Sequence, residues 1–285
     1  MDISKIGIVG AGTMGQGIAS LSAFHGFKTE VYDINEQILS KAHALIFSGY
    51  DTLVEKKKIT RDQSSQIERN LGFSSDINNL SDCGLVIEAA VENIDLKKVI
   101  YSQLDELTPG DTILATNTSS YSITAISSAV KKNRGRVIGM HFFNPASIMK
   151  LVEIVKGEFT SDQVLKTAIE VSRKLGKTPV VCKDTPAFIV NRVARSFYGE
   201  ALKILGEENI DVRTIDKIMR EEGGFRMGPF ELMDLIGIDV NFSVTKSVYE
   251  AFFHDSKYRP HPIQQKLVEA GMLGKKTGRG FYNYK

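Results

Sequence analysis

Short apolar runs alternate with amphipathic segments along roughly the first two thirds of the chain. The runs predict strands at residues 5–9, 28–33, 84–88, 112–116 and 136–141, with a helix at residues 13–25 and further helical stretches between the later strands. Short apolar strands that alternate with helices are typical of a doubly wound, mostly parallel sheet. Two more strand patterns, at residues 150–156 and 178–182, are expected to extend this sheet.

Two segments depart from this alternation. Residues 35–69 are strongly polar and far longer than the dozen or so residues that a crossover needs, so they predict two helices that project from the sheet. After about residue 184 the strand signals nearly vanish, and apolar side chains recur at helical spacing. Asp184 followed by Pro186 predicts the start of the first of these helices. We therefore expect an α/β domain over residues 1–184 and an all-α domain over residues 185–285.

The composition and charge disfavour several classes of protein. The chain has 285 residues, of which 42% are hydrophobic and 25% charged, as in ordinary soluble proteins. A net charge of +2 is too small to predict nucleic-acid binding. No apolar run reaches the roughly 18 residues of a membrane span, and no signal-peptide pattern is present. Cys83 and Cys182 are too far apart to predict a disulfide framework or a zinc site, so a cytoplasmic protein without a metal is expected.

A glycine-rich turn lies between the first predicted strand and the first predicted helix. Gly10, Gly12 and Gly15 form the pattern G-x-G-x-x-G, and Thr13 and Met14 stand between the last two glycines. In this context the turn allows a pyrophosphate to approach the backbone, and the helix amino terminus supplies N–H donors. The alternative is a purely structural turn, and the motif alone would also admit FAD.

Asp33 ends the second predicted strand, 23 residues after Gly10. A carboxylate at this place accepts hydrogen bonds from a ribose diol and repels a 2′-phosphate, which favours NAD over NADP. The alternative is a surface aspartate without a ligand.

His141 is the candidate proton-transfer group. It ends the apolar strand at residues 136–141, and ligands of parallel sheets bind at the carboxyl ends of the strands. An imidazole, with a reference pKa of about 6.5, suits the removal of a hydroxyl proton during alcohol oxidation. Glu153 lies in an apolar strand pattern, where a carboxylate is costly unless it is paired, and His141 is the expected partner. The alternatives are a histidine bonded to a backbone carbonyl and a carboxylate on an exposed strand face.

Polar side chains follow the neighbouring strand at the same edge of the sheet. Residues 117–120 (NTSS) place Ser119 and Asn117 where a hydroxyl or an amide can hold a substrate oxygen, although Ser119 or Ser120 would also cap a helix well. Asn191 lies in the first helical stretch beyond the domain boundary. Clefts between domains are common ligand sites, whereas most helical asparagines simply face water.

Seven motifs occur in one order from end to end: residues 10–15 with Asp33, 88–93 (EAAVEN), 117–120 (NTSS), 141–145 (HFFNP) with Glu153, 184–192 (DTPAFIVNR), 227–232 (MGPFEL) and 273–282 (LGKKTGRGFY). With these motifs the chain resembles the NAD-dependent 3-hydroxyacyl-CoA dehydrogenase family, in its short-chain 3-hydroxybutyryl-CoA form. The resemblance implies a Rossmann-type NAD-binding domain followed by a helical substrate-binding and dimerisation domain.

The resemblance also implies roles for individual residues. His141 matches the general base and acid, Glu153 its paired carboxylate, and Ser119 the hydroxyl on the reacting oxygen; Asn191 matches an asparagine near the substrate. The positions that match cofactor contacts are Gly10, Gly12, Thr13, Met14, Gly15, Asp33, Glu92, Lys97, Asn117, Ser119 and Asn144. The run from Lys56 to Lys58 is expected to meet coenzyme A phosphates, against the alternative of a merely solvated face.

The expected activity is the interconversion of (S)-3-hydroxybutyryl-CoA and acetoacetyl-CoA with NAD, by a homodimer. Alternatives are a 3-hydroxyadipyl-CoA dehydrogenase, since residues 224–227 (GFRM) resemble that branch, and a gulonate-type sugar-acid dehydrogenase. A 3-hydroxyisobutyrate type is disfavoured because it uses a lysine where this chain has Asn191 or Arg192. A non-catalytic NAD or acyl-CoA sensor would need no His141–Glu153 pair. Acyl chain length and pathway (butyrate formation, fatty-acid breakdown or aromatic degradation) stay open.

Overall fold

The structure, a computed structural model, describes residues 3–284 and divides into two compact units, Met1–Thr185 and Pro186–Lys285.

The first unit is built on one eight-stranded sheet. Its strands are β1 (Lys5–Val9), β2 (Lys28–Tyr32), β3 (Leu71–Ser74), β4 (Leu85–Glu88), β5 (Ile113–Thr116), β6 (Val137–Phe142), β7 (Leu151–Lys156) and β8 (Thr178–Lys183). Their order across the sheet is β3-β2-β1-β4-β5-β6-β7-β8. All neighbours are parallel except β6 and β7, which are antiparallel. The prediction of a doubly wound, mostly parallel sheet is confirmed.

In the described part of this unit, residues 3–185, six α-helices accompany the sheet: α1 (Thr13–Phe24), α2 (Glu36–Glu55), α3 (Arg61–Glu68), α4 (Ile94–Leu107), α5 (Ile123–Ser127) and α6 (Asp162–Lys174). The central strands carry continuous apolar runs because both of their faces are covered: Ile6, Leu85 and Ile113 on one face and Val86 and Leu114 on the other have no exposed surface. The carboxyl ends of β4, β5 and β6 therefore rest on a tightly packed base.

The predicted helical pair at residues 35–69 is confirmed as α2 and α3. The Asn35 side chain caps α2 by accepting hydrogen bonds from the N–H groups of its first turn, and Thr60 and Gln63 form a capping box at the start of α3. Strand β3, which follows the pair, was not predicted. It has four residues, and it is identified by its pairing with β2 rather than by an apolar pattern.

The predicted helix start at Asp184 is wrong. Helix α7 begins at Val190, because Ala187 and Phe188 have φ values of 64° and 49°, outside the helical region. The Asp184 carboxylate instead accepts hydrogen bonds from Ser122 Oγ at 2.7 Å and from the backbone N–H groups of residues 123 and 124 at 2.9 and 2.8 Å. It thus caps α5, a helix about sixty residues earlier in the chain.

The second unit contains α7 (Val190–Glu207), α8 (Val212–Glu221), α9 (Pro229–Ile236), α10 (Ile238–Ala251) and α11 (Pro262–Glu269). Its core packs Tyr198, Leu202, Phe230 and Met233 against side chains of the carboxyl-terminal segment, which include Phe281. Within residues 3–284, no helix combines the length and the apolar character that crossing a membrane requires.

Two aspartates with no exposed surface connect the helices of this unit to the carboxyl-terminal segment. Asp216 on α8 accepts from the Tyr282 hydroxyl at 2.7 Å and from two N–H groups at the start of α9. Asp234 on α9 accepts from the N–H groups of residues 281 and 282 and from the Tyr284 hydroxyl at 2.9 Å. Close packing accompanies these bonds, since a Cβ on Gly280 would lie 2.1 Å from an Asp234 oxygen. We call these two carboxylates and their donors the aspartate knot.

Candidate active site

The glycine turn between β1 and α1 is shaped for close contact with a ligand. Gly10 has a φ of 98°, and a Cβ on Gly15 would lie 1.8 Å from the Gly10 carbonyl oxygen, so both positions require glycine. At Gly12 the surroundings are open, since a Cβ there would meet no atom within 4 Å. No side chain caps the first turn of α1, whose first residues are Thr13 and Met14. Its N–H groups are therefore free of side-chain partners and fit a pyrophosphate.

Asp33 follows directly after β2 and is bonded to the same turn. Its Oδ2 accepts from the Ala11 N–H at 2.8 Å, and its Oδ1 accepts from the Asn35 N–H at 3.0 Å. The carboxylate is thus held beside the glycine turn, and its remaining lone pairs suit a ribose diol.

Two apolar side chains beside this turn were not predicted. Ile34, next to Asp33, is 85% exposed, and Val91, in the loop after β4, is 72% exposed. Their strands, β2 and β4, flank β1 in the sheet. The sequence signal was an isoleucine directly after the acid, at a loop position where a polar residue would be expected.

The antiparallel pairing of β6 and β7 brings His141 and Glu153 together. The two residues stand opposite each other in the register, a position at which side chains lie on the same face of the sheet. His141 Nδ1 lies 2.7 Å from Glu153 Oε2, and both residues are buried. Because a carboxylate only accepts hydrogen bonds, Nδ1 of the neutral ring carries the proton and Nε2 is left as an acceptor.

The loop after β5 approaches the other nitrogen of this ring. Ser119 Oγ lies 3.0 Å from His141 Nε2 and donates to it in this tautomer. Asn117 joins the ends of β5 and β6, since its Oδ1 accepts from the Phe142 N–H at 2.8 Å. Ser119, His141 and Glu153 therefore form one hydrogen-bonded row in which Nε2 can accept a proton from an oxygen.

A cluster of three charged side chains adjoins this row. Glu88, the last residue of β4, has no exposed surface and accepts from Lys97 Nζ at 2.8 and 2.9 Å with its two oxygens. Glu92 lies 3.2 Å from the same ammonium group, and its other oxygen accepts from the Ser119 N–H at 3.0 Å. We call Glu88, Lys97 and Glu92 the edge cluster.

Glu92 is the exposed member of the edge cluster, with a side chain 40% exposed, against 1% for Lys97 and 0% for Glu88. Partial burial raises the pKa of the Glu92 carboxyl, but the charge of Lys97 and hydrogen bonds from Thr118 and Ser119 outweigh this effect and hold the pKa below its usual value. Glu92 is therefore ionised at neutral pH. Glu88 was not predicted as a site residue; its sequence signal was a carboxylate that ends an otherwise apolar strand.

The remaining predicted site residues are Asn144 and Lys56 in the first unit and Asn191 in the second. Asn144 is exposed in the segment that follows β6, and Lys56 is exposed where α2 ends. Asn191 lies in the first turn of α7 in the second unit, where its carbonyl oxygen accepts from Arg195 Nε at 3.2 Å.

The sheet order, the glycine turn with its acid, and a hydrogen-bonded histidine at the carboxyl edge define a Rossmann-type, NAD-binding oxidoreductase. Comparison with models of known protein families identifies the family within this class. The model of the 3-hydroxyacyl-CoA dehydrogenase NAD-binding domain matches residues 5–185, and the model of the carboxyl-terminal domain of the same enzymes matches residues 188–284. The chain belongs to the 3-hydroxyacyl-CoA dehydrogenase family, and its cofactor is NAD.

Individual proteins similar to this chain are 3-hydroxyadipyl-CoA and 3-hydroxybutyryl-CoA dehydrogenases. A 3-hydroxyadipyl-CoA dehydrogenase of Escherichia coli K12 is 45% identical over the whole chain, which spans 60% of that relative's length. A 3-hydroxybutyryl-CoA dehydrogenase of Clostridioides difficile is 39% identical, with 98% of this chain and 99% of the relative covered. The crystal structure of (S)-3-hydroxybutyryl-CoA dehydrogenase from Ralstonia eutropha superposes with a TM-score of 0.95 at 39% identity, and both chains are covered completely.

Proposed function

We propose that the protein interconverts (S)-3-hydroxyacyl-CoA and 3-oxoacyl-CoA thioesters, with 3-hydroxybutyryl-CoA and acetoacetyl-CoA as the principal pair. The observation that carries this proposal is the hydrogen-bonded row of Ser119, His141 and Glu153. With the ring neutral, it holds Nε2 of His141 as an acceptor beside a hydroxyl donor, at the carboxyl edge of the sheet, which also carries the dinucleotide turn. Those are the two needs of alcohol oxidation by a nicotinamide cofactor.

In the oxidation, His141 Nε2 takes the proton of the 3-hydroxyl group. Glu153 accepts from Nδ1 throughout and stabilises the imidazolium that forms. Ser119 turns its hydroxyl toward the substrate oxygen, so that the C3–H bond is held in one direction. NAD, when bound, would supply the acceptor for the hydride that leaves C3. In the reverse direction His141 donates the proton to the 3-oxo group.

The first unit offers each part of the cofactor a matching group. The backbone at Gly10, Gly12 and Gly15 and the start of α1 would hold the pyrophosphate, Asp33 the ribose diol, and the exposed Ile34 and Val91 the two faces of the adenine. Asn117, Asn144 and Glu92 would surround the nicotinamide half. Lys97 is only 1% exposed and its ammonium is bonded to two carboxylates, so we propose that it acts through Glu92.

For the substrate, we retain Asn191 as a contact to a thioester or C3 oxygen and Lys56 as a contact to coenzyme A phosphate. We also propose a homodimer formed through the second unit, where Leu235 and Ile236 of α9 are 51% and 42% exposed.

NADH oxidation with acetoacetyl-CoA, and with free acetoacetate beside it, tests the proposal. Turnover with the thioester and none with the free acid is expected, because only the thioester presents coenzyme A to the binding residues. No turnover with the thioester would discredit the proposed reaction, and equal turnover with both would favour a small hydroxy acid as the substrate.

A second candidate is a dicarboxylic substrate. The 45% identity to a 3-hydroxyadipyl-CoA dehydrogenase favours it specifically. The ratio of kcat/KM for 3-hydroxyadipyl-CoA and 3-hydroxybutyryl-CoA separates the two, and a ratio above about ten would replace the principal pair given above.

A further inference from the structure

The edge cluster carries a net charge of −1, from two carboxylates and one ammonium group, and its exposed member is a carboxylate. We propose that this excess negative charge makes the enzyme bind the oxidised cofactor more tightly, relative to the reduced one, than a neutral edge would. The proposal rests on the proposed function, because it needs the reacting oxygen to sit at Ser119 and His141.

The edge cluster is bonded directly to the proton-transfer row. Glu92 Oε1 accepts from the Ser119 N–H at 3.0 Å, and Ser119 Oγ lies 3.0 Å from His141 Nε2. The substrate oxygen that gives its proton to Nε2 must lie within hydrogen-bond reach of the same two groups. Hydride transfer requires contact between the oxygen-bearing carbon and the nicotinamide ring, which places that ring in the immediate surroundings of Glu92.

The charge of the nicotinamide ring changes in the reaction. The nicotinamide ring is a cation when oxidised and neutral when reduced, while the rest of the cofactor keeps its charge. A nearby carboxylate therefore stabilises one form and not the other. Two unit charges about 8 Å apart, in surroundings with an effective dielectric constant of roughly 20 to 40, change a binding constant by about five- to thirtyfold.

Hydrogen bonds and ion pairs of the edge cluster keep the Glu92 carboxylate ionised and in place. Lys97 is bonded to the fully buried Glu88, whose oxygens also accept from Thr116 Oγ1 at 2.7 Å and from the Ala90 N–H at 2.8 Å. Glu92 in turn accepts from the Thr118 hydroxyl at 2.6 Å. Lys97 thus neutralises Glu88 internally, and the charge of Glu92 remains as the excess.

Three variants separate charge from structure. Glu92→Gln brings the cluster to zero and keeps an oxygen for the loop after β5. The double variant Glu88→Gln/Lys97→Met removes the buried ion pair and leaves the net charge at −1. Glu170→Gln, on the exposed side of α6, is the matched control for the loss of one carboxylate elsewhere in the unit.

Dissociation constants of NADH and NAD⁺ are measured for each protein without substrate, by NADH emission and by competition. The chain has no tryptophan, so protein emission does not overlap with the excitation of NADH. In Glu92→Gln the ratio of Kd for NAD⁺ to Kd for NADH is expected to rise about tenfold. The double variant and the Glu170→Gln control are expected to stay within about twofold of the unchanged protein.

An unchanged ratio in Glu92→Gln overturns the proposal, even if both forms bind more weakly. A shift in the double variant as large as that in Glu92→Gln also overturns it, because local structure and not net charge would then set the ratio. Turnover of acetoacetyl-CoA by the unchanged protein is measured in parallel. Its absence would instead contradict the proposed function, so the two failures are distinguishable.

Discussion

The two units of this protein bury carboxylates in opposite ways. In the first unit, Glu88 and Glu153 are each bonded to a group that carries or can take a positive charge, Lys97 or His141. In the second unit, the aspartate knot holds Asp216 and Asp234 with backbone N–H groups and tyrosine hydroxyls. The first arrangement pairs a carboxylate with a partner that can exchange a proton or balance its charge, whereas the second joins chain segments through hydrogen bonds to the carboxylates.

One carboxylate from each unit, Glu92 and Asp216, shows a pKa shift in the opposite direction from the other. Burial raises the pKa of Asp216, and its hydrogen bonds do not fully offset that effect, whereas the pKa of Glu92 is lowered on balance. The motifs at residues 227–232 and 273–282, which carry much of the family resemblance, contribute donors and close glycines to the aspartate knot. The family motifs of the second unit therefore hold chain segments together, whereas those of the first unit carry the candidate catalytic and cofactor-binding groups.

The largest expected effect concerns the proton-transfer row. His141→Asn should lower kcat by about a thousandfold or more, since it removes a positioned base, and should leave the Kd of NADH within about threefold. Stopped-flow turnover with acetoacetyl-CoA and NADH titration measure the two quantities. Substantial retained turnover would contradict the assignment of His141.

Breaking the aspartate knot should lower the stability of the protein and leave NADH binding unchanged. Asp234→Ala leaves several inward N–H and hydroxyl donors without an acceptor, so the free energy of unfolding should fall by about 2–4 kcal/mol. Urea denaturation followed by circular dichroism measures the loss, with Glu250→Ala on the exposed side of α10 as the control. NADH affinity should be unchanged; a selective loss of NADH affinity with normal stability would refute the division between the two regions.

Asp33→Gly tests the chemistry of the first unit at the dinucleotide turn. Loss of the carboxylate should lower the preference for NADH over NADPH by about tenfold, because the diol acceptor and the repulsion of a 2′-phosphate disappear together. Paired Kd measurements give the preference. A ratio equal to that of the unchanged protein would argue against the ribose role.

The smallest expected effect is the pH dependence of the stability that Glu92 and Asp216 contribute. Since the pKa of Glu92 is lowered on folding, its contribution to stability is fully present above the usual value of 4.5 and is lost as the pH falls through the lowered pKa. It should stay below about 1 kcal/mol because the side chain is partly exposed. Asp216, with a raised pKa, should instead gain stability as the pH falls from that raised pKa toward 3.8.

Urea titrations between pH 7 and pH 3.5 check both signs, with Glu92→Gln and Asp216→Asn as the non-titrating references. The stability difference from the unchanged protein should shrink with falling pH for Glu92→Gln and move in the opposite direction for Asp216→Asn. Parallel curves would show that the two carboxylates do not differ in the way described.

The sheet was predictable where a strand is buried on both faces, because β1, β4, β5 and β6 are then continuous apolar runs. Strand β3 was not, because it has four residues and is defined by its hydrogen bonds to β2. The approach of Glu153 to His141 was expected from the cost of burying a carboxylate, but the antiparallel register that produces it was not. Glu88 was not predicted as a site residue because its partners are distant in the sequence. Its carboxylate accepts hydrogen bonds from Lys97, Thr116 and Ala90, and no local sequence pattern predicts that these donors meet at one carboxylate.

Asp184 limits where the chain can be truncated to prepare the first unit alone. Its carboxylate supplies three acceptor contacts to the start of α5, yet it stands only one residue before the end of the first compact unit. A fragment that stops at Lys183 would keep every strand of the sheet and still lose the cap of a helix next to the proton-transfer row. Anyone preparing the nucleotide-binding half alone should let it end at Thr185 or later.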